Sequence, residues 1–432
     1  MKTINLDLID EKVYYEKLDN DLEVYILKKE KFNSSYATFL TNFGGIDTEF
    51  IPINEKEMAK MPSGIAHFLE HKLFEQESGE SVHEFYNKSG TYVNAMTSYK
   101  RTKYIFEGPN NFKENLIYLL DFVQSPYFTD KNVEKEKGII LEEARMGLDN
   151  PNRKFYSTIL KNLFTSGLYD NEVIGTMDDI KSITKEDLYR CYNSFYHPSN
   201  MALIIVTNED EKEIMDLVKN NQSKKTFKKD FKIVKKDYIE EPVVKVEKEI
   251  LKENVLETRL CYSLKFKLSD FNASKLEVYD YFMILFGILV GNLSEFNIEL
   301  RSNNIIKDNI EYSINSQKIS DEEYIIFSFY ALTNKTNKFI SLLEKQLLEK
   351  NYTKKDFDLY KKTFKSDLNY LFDSVNGIMN FLVTEYEFNG YISNESLEME
   401  NNINYDRFKK ITSKLNLNNK SIVIMKKKES NN

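Results

Sequence analysis

The stretch Gly64-Ile-Ala-His67-Phe-Leu-Glu70-His71-Lys-Leu-Phe74 (GIAHFLEHKLF) contains two of the chain's four histidines with a glutamate between them. If the stretch is helical, His67 and His71 project from one face, a spacing able to grip one Zn²⁺. Glu70 falls three residues after His67 on nearly the same face, where its carboxylate could act on water at the metal without being a ligand. With so few histidines, an H-x-x-E-H pattern arises by random placement in well under roughly one per cent of such chains. The neighbours Ile65, Phe68, Leu69 and Leu73 are apolar, so the motif borders a core. Half-buried imidazoles and a carboxylate need a partner there, and a cation satisfies all three.

A catalytic zinc takes three protein ligands and keeps an open position, so a third ligand must come from elsewhere. Residues 134–146 (EKEKGIILEEARM) supply it. Glu136 and Glu143 are two helical turns apart and only ~20° out of line, with Ile139 and Ile140 expected between them on the inward stripe. Glu142 is rotated about 100° from Glu143 and is expected to face solvent. Glu143 is the expected third ligand, with Glu136 behind it orienting a histidine N–H. An acidic helix alone would read as a solvated face; the histidines change that. His197, in FYHPSN, reads as a packing residue, and His83 opens a helix after Ser81; neither is expected at the metal.

The chain has 432 residues, 60 Lys plus Arg against 68 Asp plus Glu, a net charge of -8 and 41% hydrophobic residues. This is a globular composition with room for roughly two to four domains. A mildly acidic chain does not suit a nucleic-acid partner, which needs a clustered excess of Lys and Arg. Cys191 and Cys261 give neither a disulfide framework nor a four-thiolate metal site, which fits a reducing compartment; a cytoplasmic location is expected. The start, MKTINLDLIDEKVYY, has no basic-then-apolar signal pattern. The longest apolar run, 282–290 (FMILFGILV), is short of the ~20 residues of a membrane span and reads as a buried helix.

Short β-rich runs at 22–28, 37–42, 104–107 and 203–207 alternate with longer helical patterns, predicting an α+β chain. The Lys-rich stretch 220–242 (NNQSKKTFKKDFKIVKKDYIEEP) reads as a solvated connection. This divides the chain into a zinc-binding domain (1–222), a linker (223–242) and a second domain (243–432). The strand at 104–106, helix 113–123 and helix after 128–131 recur in order as 324–329, 337–348 and a helix after 352–355. That order suggests two homologous α/β domains, each with an antiparallel-rich sheet packed with helices, related by duplication.

With Glu136 and Glu143 about seventy residues after His67-Phe-Leu-Glu70-His71, the chain resembles the inverzincin metallopeptidases: pitrilysin, insulin-degrading enzyme and mitochondrial processing peptidase. Gly90-Thr-Tyr-Val-Asn94-Ala95-Met-Thr97, Val173-Ile-Gly175-Thr176 and Phe195-Tyr-His197-Pro198-Ser-Asn200-Met extend the likeness over most of the first half. The resemblance implies a zinc endopeptidase whose subunits pair, so that four domains enclose a chamber admitting peptides or unfolded segments. It also implies that Asn94 and Ala95 lie on an edge strand binding substrate backbone. Residues 279–294 contain no histidine, so one zinc per chain is expected. Family members also use an Arg followed seven residues later by Tyr. Here Arg301 is followed at that distance by Asp308, and the next Tyr is Tyr312. A homologous partner subunit supplying the pair is therefore expected, or otherwise a homodimer using Arg301. A peptide precursor is one possible substrate. The alternative is a catalytically silent scaffold or binding subunit, against which the intact His67, Glu70, His71 and Glu143 argue. A small-molecule metallohydrolase would not need the edge strand.

Overall fold

In β9, all seven residues of Met201–Thr207 are buried, which requires cover on both faces of the sheet that contains it. The computed structural model describes residues 1–228 and 232–428, apart from the side chains of 364, 365, 367–369 and 399–401. Part of the expected linker, 229–231, and the last residues of the expected second domain, 429–432, lie outside the described residues. The described strands are β1 Lys2–Leu6, β2 Glu11–Lys17, β3 Glu23–Lys28, β4 Ser35–Thr41, β5 Glu49–Ile51, β6 Ala59–Lys60, β7 Tyr92–Thr97, β8 Thr102–Gly108, β9, β10 Val234–Lys235, β11 Lys248–Glu253, β12 Arg259–Lys267, β13 Glu311–Ile319, β14 Glu322–Leu332 and β15 Lys420–Lys427. The helices are α1 Ile65–Leu73, α2 Val82–Asn87, α3 Phe112–Val123, α4 Asp130–Leu148, α5 Pro151–Leu163, α6 Met177–Ser182, α7 Lys185–Phe195, α8 Glu211–Gln222, α9 Lys275–Val290, α10 Glu295–Ser302, α11 Thr336–Glu349, α12 Lys354–Leu371, α13 Val375–Asn389, α14 Glu395–Asn401 and α15 Tyr405–Thr412. The chain is α+β.

Two compact units form, each from separate stretches. The first takes Met1–Met146, Asn171–Lys236 and Asn369–Asn394, and the second takes Gly147–Asp170, Asp237–Leu368 and Glu395–Asn432. A division at 222 and 243 would leave 147–170 with the first half and 369–394 with the second; packing exchanges those segments. The Lys-rich connection is also less solvated than its composition suggests. Within the first unit, β10 pairs with β5 and Lys235 meets the buried carboxylate of Asp47 at 2.7 Å. Within the second, the Glu240 side chain is 1% exposed and ion-paired with Lys265.

The first unit is a seven-stranded sheet in the order β1-β2-β3-β9-β4-β8-β7, antiparallel except between β3 and β9. Val24, Ile26, Ala37, Phe39, Leu203 and Ile205 face a core that also takes in residues of α1, α3, α7 and α8. The alternate residues point to the opposite face, which α13 covers by packing on β9 and β4. There Thr38 donates to Met379 Sδ, and the Tyr25 and Tyr386 rings meet edge to face.

The second unit is a five-stranded sheet in the order β11-β15-β12-β14-β13, parallel only between β11 and β15. Leu260, Tyr262, Leu264 and Phe266 of β12 join a core with α9, α11 and α15, while Cys261, Ser263 and Lys265 point to the other face, where α5 packs. By length and composition, Lys275–Ser302 is apolar enough to cross a membrane, yet 61% of its most apolar window is buried within the fold. α9 starts at a Ser274/Glu277 capping box and places Phe282, Leu285, Phe286, Leu289 and Val290 in the core, as expected of a buried helix.

Candidate metal centre

α1 begins at Gly64, whose φ of +87° suits glycine, with no side-chain cap. A Cβ there would come within 2.1 Å of the Ile174 carbonyl oxygen, and one on Gly175 (φ +83°) within 2.3 Å of the Ser63 carbonyl oxygen. The Val173-Ile-Gly175-Thr176 segment therefore braces the start of α1 by backbone contact, and Thr176 N–H donates to Ser63 Oγ. Ile65, Ala66, Phe68, Leu69 and Leu73 are buried, which leaves His67, Glu70 and His71 at the edge of the core.

α4 runs alongside and brings up two carboxylates. His67 Nε2 is 3.6 Å from Glu143 Oε1, and His71 Nε2 is 3.5 Å from Glu143 Oε2, with the imidazole centroids 4.7 Å apart. One ligand atom from each of His67, His71 and Glu143 can be chosen so that all lie within 4.8 Å of one another. Tetrahedral zinc with bonds of 2.0–2.2 Å holds its ligands about 3.3–3.5 Å apart, so the donor set fits one Zn²⁺ with little closure. Among the described residues this is the one group of this kind. Glu136, 9% exposed, bonds His71 Nδ1 at 3.0 Å and so leaves Nε2 facing Glu143. A carboxylate on the far nitrogen fixes the ring and raises its basicity.

Burial would lower the His71 pKa, but hydrogen bonds to the Glu136 and Glu143 carboxylates outweigh it and lift the imidazole to about 9. In the metal-free chain a proton supplies the positive charge that these carboxylates demand. Glu70 is on the same helix, and its Oε2 accepts from Thr97 Oγ1 at 2.5 Å. Burial pushes the Glu70 carboxyl above its usual range, against the pull of Thr97 and His71, and Glu143 adds to the rise.

Thr97 was legible only in part. It closes the quoted motif at Asn94-Ala95-Met-Thr97, and the two-residue period of β7 places it on the side of Val93 and Ala95. Nothing local points from there to Glu70. Asn94 and Ala95 lie on β7, the last strand of the sheet, and line a cavity of about 710 Å³ together with Glu70, His71, Phe74 and His83. His83 stacks on Phe74 with ring centroids 5.1 Å apart. His197 is buried, bonded to Ser199 Oγ and the Lys228 carbonyl oxygen, and packs as expected. Glu142 faces solvent and pairs with Arg145. One expectation fails: Ile139 is 49% exposed, whereas Ile140 is fully buried. Val133, Glu136, Ile140 and Ala144 define the inward stripe, and Ile139 lies about 100° from Ile140 around the helix. Arg301 is exposed on α10 in the second unit, with Nη2 donating to the Asn292 carbonyl, and the Tyr312 hydroxyl bonds that of Tyr360. Neither belongs to the metal cluster.

An α+β chain with H-x-x-E-H on one helix and a carboxylate facing both histidines from another belongs to the class of inverted-motif zinc peptidase folds. Residues 57–177 match the model for Insulinase (Peptidase family M16), and residues 182–364 match the Peptidase M16 inactive domain; the chain belongs to the M16 (insulinase) peptidase family. It is 44% identical over 268 residues to an uncharacterized zinc protease, YmfH, of Bacillus subtilis (strain 168), covering 62% of each chain. It is 31% identical over 232 residues to PqqL of Escherichia coli (strain K12), covering 50% of this chain but 23% of that protein. The chain thus spans less than two thirds of the length of these relatives. The crystal structure of an M16-like protein from Alicyclobacillus acidocaldarius superposes with a TM-score of 0.85 at 27% identity, covering 96% of this chain and 98% of that one. A protease from Helicobacter pylori shares the fold, with a TM-score of 0.78 at 19% identity and coverage of 96% and 100%.

Proposed function

We propose that the chain is a zinc-dependent endopeptidase acting on peptides or unfolded segments. The observation that carries this reading is the convergence of His67, His71 and Glu143 on one point, with Glu70 beside them. Zn²⁺ held there would supply a Lewis acid that acidifies water and polarises a carbonyl. Glu70 takes the proton of the attacking water and returns it to the leaving amine; its buried position favours proton uptake. Thr97 holds the Glu70 carboxylate in place through its hydroxyl. Glu136 keeps the His71 ring in one orientation, and the edge strand at Asn94 and Ala95 receives the peptide backbone by strand addition.

The two halves are proposed to be homologous by duplication. Support comes from the shared strand-helix-helix order and from sheets that each have a helix over the second face. The broken arrangement around Arg301 favours a homologous partner subunit, with the paired subunits forming a closed chamber and a peptide precursor among the substrates. Two buried free cysteines support a cytoplasmic location.

The test combines metal content with turnover. Purified protein should carry close to one zinc per chain, and His71→Ala or Glu143→Gln should lose it. Glu70→Gln should keep zinc but lose hydrolysis of a quenched peptide library, while a panel of esters stays intact in every form. Full zinc retention in both ligand variants, or near-normal turnover in Glu70→Gln, would refute the reading.

A further inference from the structure

β7 ends the sheet, so its outer row of backbone groups has no strand beside it among the described residues. Such an edge is a ready template for another extended chain. Along it Tyr92, Asn94 and Met96 point outward, while Val93 and Ala95 point to the core. The Ala95 N–H donates to Asn94 Oδ1 at 2.9 Å, and Asn94 Nδ2 donates to the Tyr92 hydroxyl at 2.7 Å. A ladder bond to β8 would use the other side of the strand, so the capped N–H is one that an added strand would need. Both ends of the Asn94 amide are engaged: the Ala95 N–H, which can only donate, requires the oxygen, and the Tyr92 hydroxyl holds the amide from its nitrogen end. Asn94 and Ala95 line the same cavity as Glu70 and His71, so the capped position adjoins the metal centre.

We infer that Tyr92 is a positioning residue that acts through Asn94: it keeps the Ala95 N–H capped until the carbonyl of an extended peptide replaces the Asn94 oxygen. This rests on the proposed peptidase reading, in which peptide lies along β7. The cap competes with substrate and is released only by a segment that can run extended past Ala95. A compact chain that cannot present its backbone leaves the edge closed. Tyr92 is 57% exposed, so losing its hydroxyl removes the hold on the Asn94 amide, and so weakens the cap, without opening the core.

The experiment uses the full zinc-loaded chain labelled with ¹⁵N-alanine, which gives eight backbone signals; that of Ala95 is assigned by its loss in Ala95→Gly. In a Glu70→Gln background an unstructured decapeptide is titrated and amide exchange with solvent is measured, with and without Tyr92→Phe. Removing one neutral hydrogen bond should tighten peptide binding roughly three- to tenfold and speed Ala95 exchange, leaving the other alanine signals in place. With Glu70 intact, KM should fall while kcat is unchanged. Equal or weaker binding in Tyr92→Phe, or unchanged Ala95 exchange, overturns the inference. If wild type cleaves peptide and Tyr92→Phe matches it, the cap alone fails. If peptide binds and moves the Ala95 signal but wild type never cleaves, the peptidase reading fails and the cap stands. If no peptide binds, the exchange rate decides the cap by itself.

Discussion

His71 is gripped from both sides, by Glu136 on Nδ1 and Glu143 on Nε2, and the two carboxylates have separable roles. Glu143 faces both imidazoles and is placed to be a ligand, whereas Glu136 touches only the far nitrogen of His71 and would act through the imidazole. Glu136→Gln should therefore weaken zinc binding by about 10- to 100-fold without abolishing it, measured by competition with a chromophoric chelator. The same contacts give a pH signature in the metal-free chain. The folded His71 pKa is raised from 6.5 to about 9, so its stabilising contribution is complete below pH 6.5 and is lost as pH rises through 9. Urea midpoints of the metal-free protein should fall across that window. Glu136→Gln should flatten the fall, and bound zinc should abolish it, because a ligating histidine must be neutral. This residue scale was the most legible one in the sequence, because H-x-x-E-H is a local period and a helix turns a period into a face. Thr97 and the Gly64–Gly175 brace were not legible as partners, since each depends on a contact between segments far apart in sequence.

At the scale of elements, the β-rich runs at 22–28, 37–42, 104–107 and 203–207 overlap β3, β4, β8 and β9, and helix 113–123 overlaps α3. Runs rich in β-branched and aromatic residues marked the strands, and the 3.6-residue apolar period marked the helix, because both signals are local in sequence. Neither could say which sheet an amphipathic helix would cover. In α13, Ile378, Met379, Leu382 and Val383 are buried, yet the pattern is equally compatible with either unit. The structure assigns it to β4 and β9 of the first unit. Leu382→Ala should cost about 2–5 kcal/mol. Its mark in hydrogen exchange should fall on β4 and β9, which lie far upstream in sequence, rather than on β12 and β14. Enhanced exchange confined to the second sheet would contradict the assignment.

For the whole molecule, the metal cluster is assembled within the first unit, while Arg301 belongs to the second. If peptide hydrolysis needs an Arg and Tyr from a homologous subunit, the isolated chain should bind zinc normally yet turn over roughly 10²- to 10³-fold more slowly than the reconstituted pair. Full activity from the chain alone, abolished by Arg301→Ala, would instead point to a self-sufficient homodimer. Assays of the chain with and without its nearest encoded homologue, alongside sedimentation, separate these outcomes.

The late position of α13 also sets a clock on biosynthesis. β3, β4 and β9 are complete by Thr207, whereas α13 ends at Asn389, and at 5–20 residues per second the delay is roughly 10–40 s. Throughout that delay the face that carries Tyr25, Thr38 and Ile204 lacks α13, and neighbouring nascent chains on one message carry the same bare surface. Codon choice between 208 and 389 thus becomes a determinant of yield: slow translation there prolongs exposure of a finished but uncovered sheet, while slow translation before 200 does not.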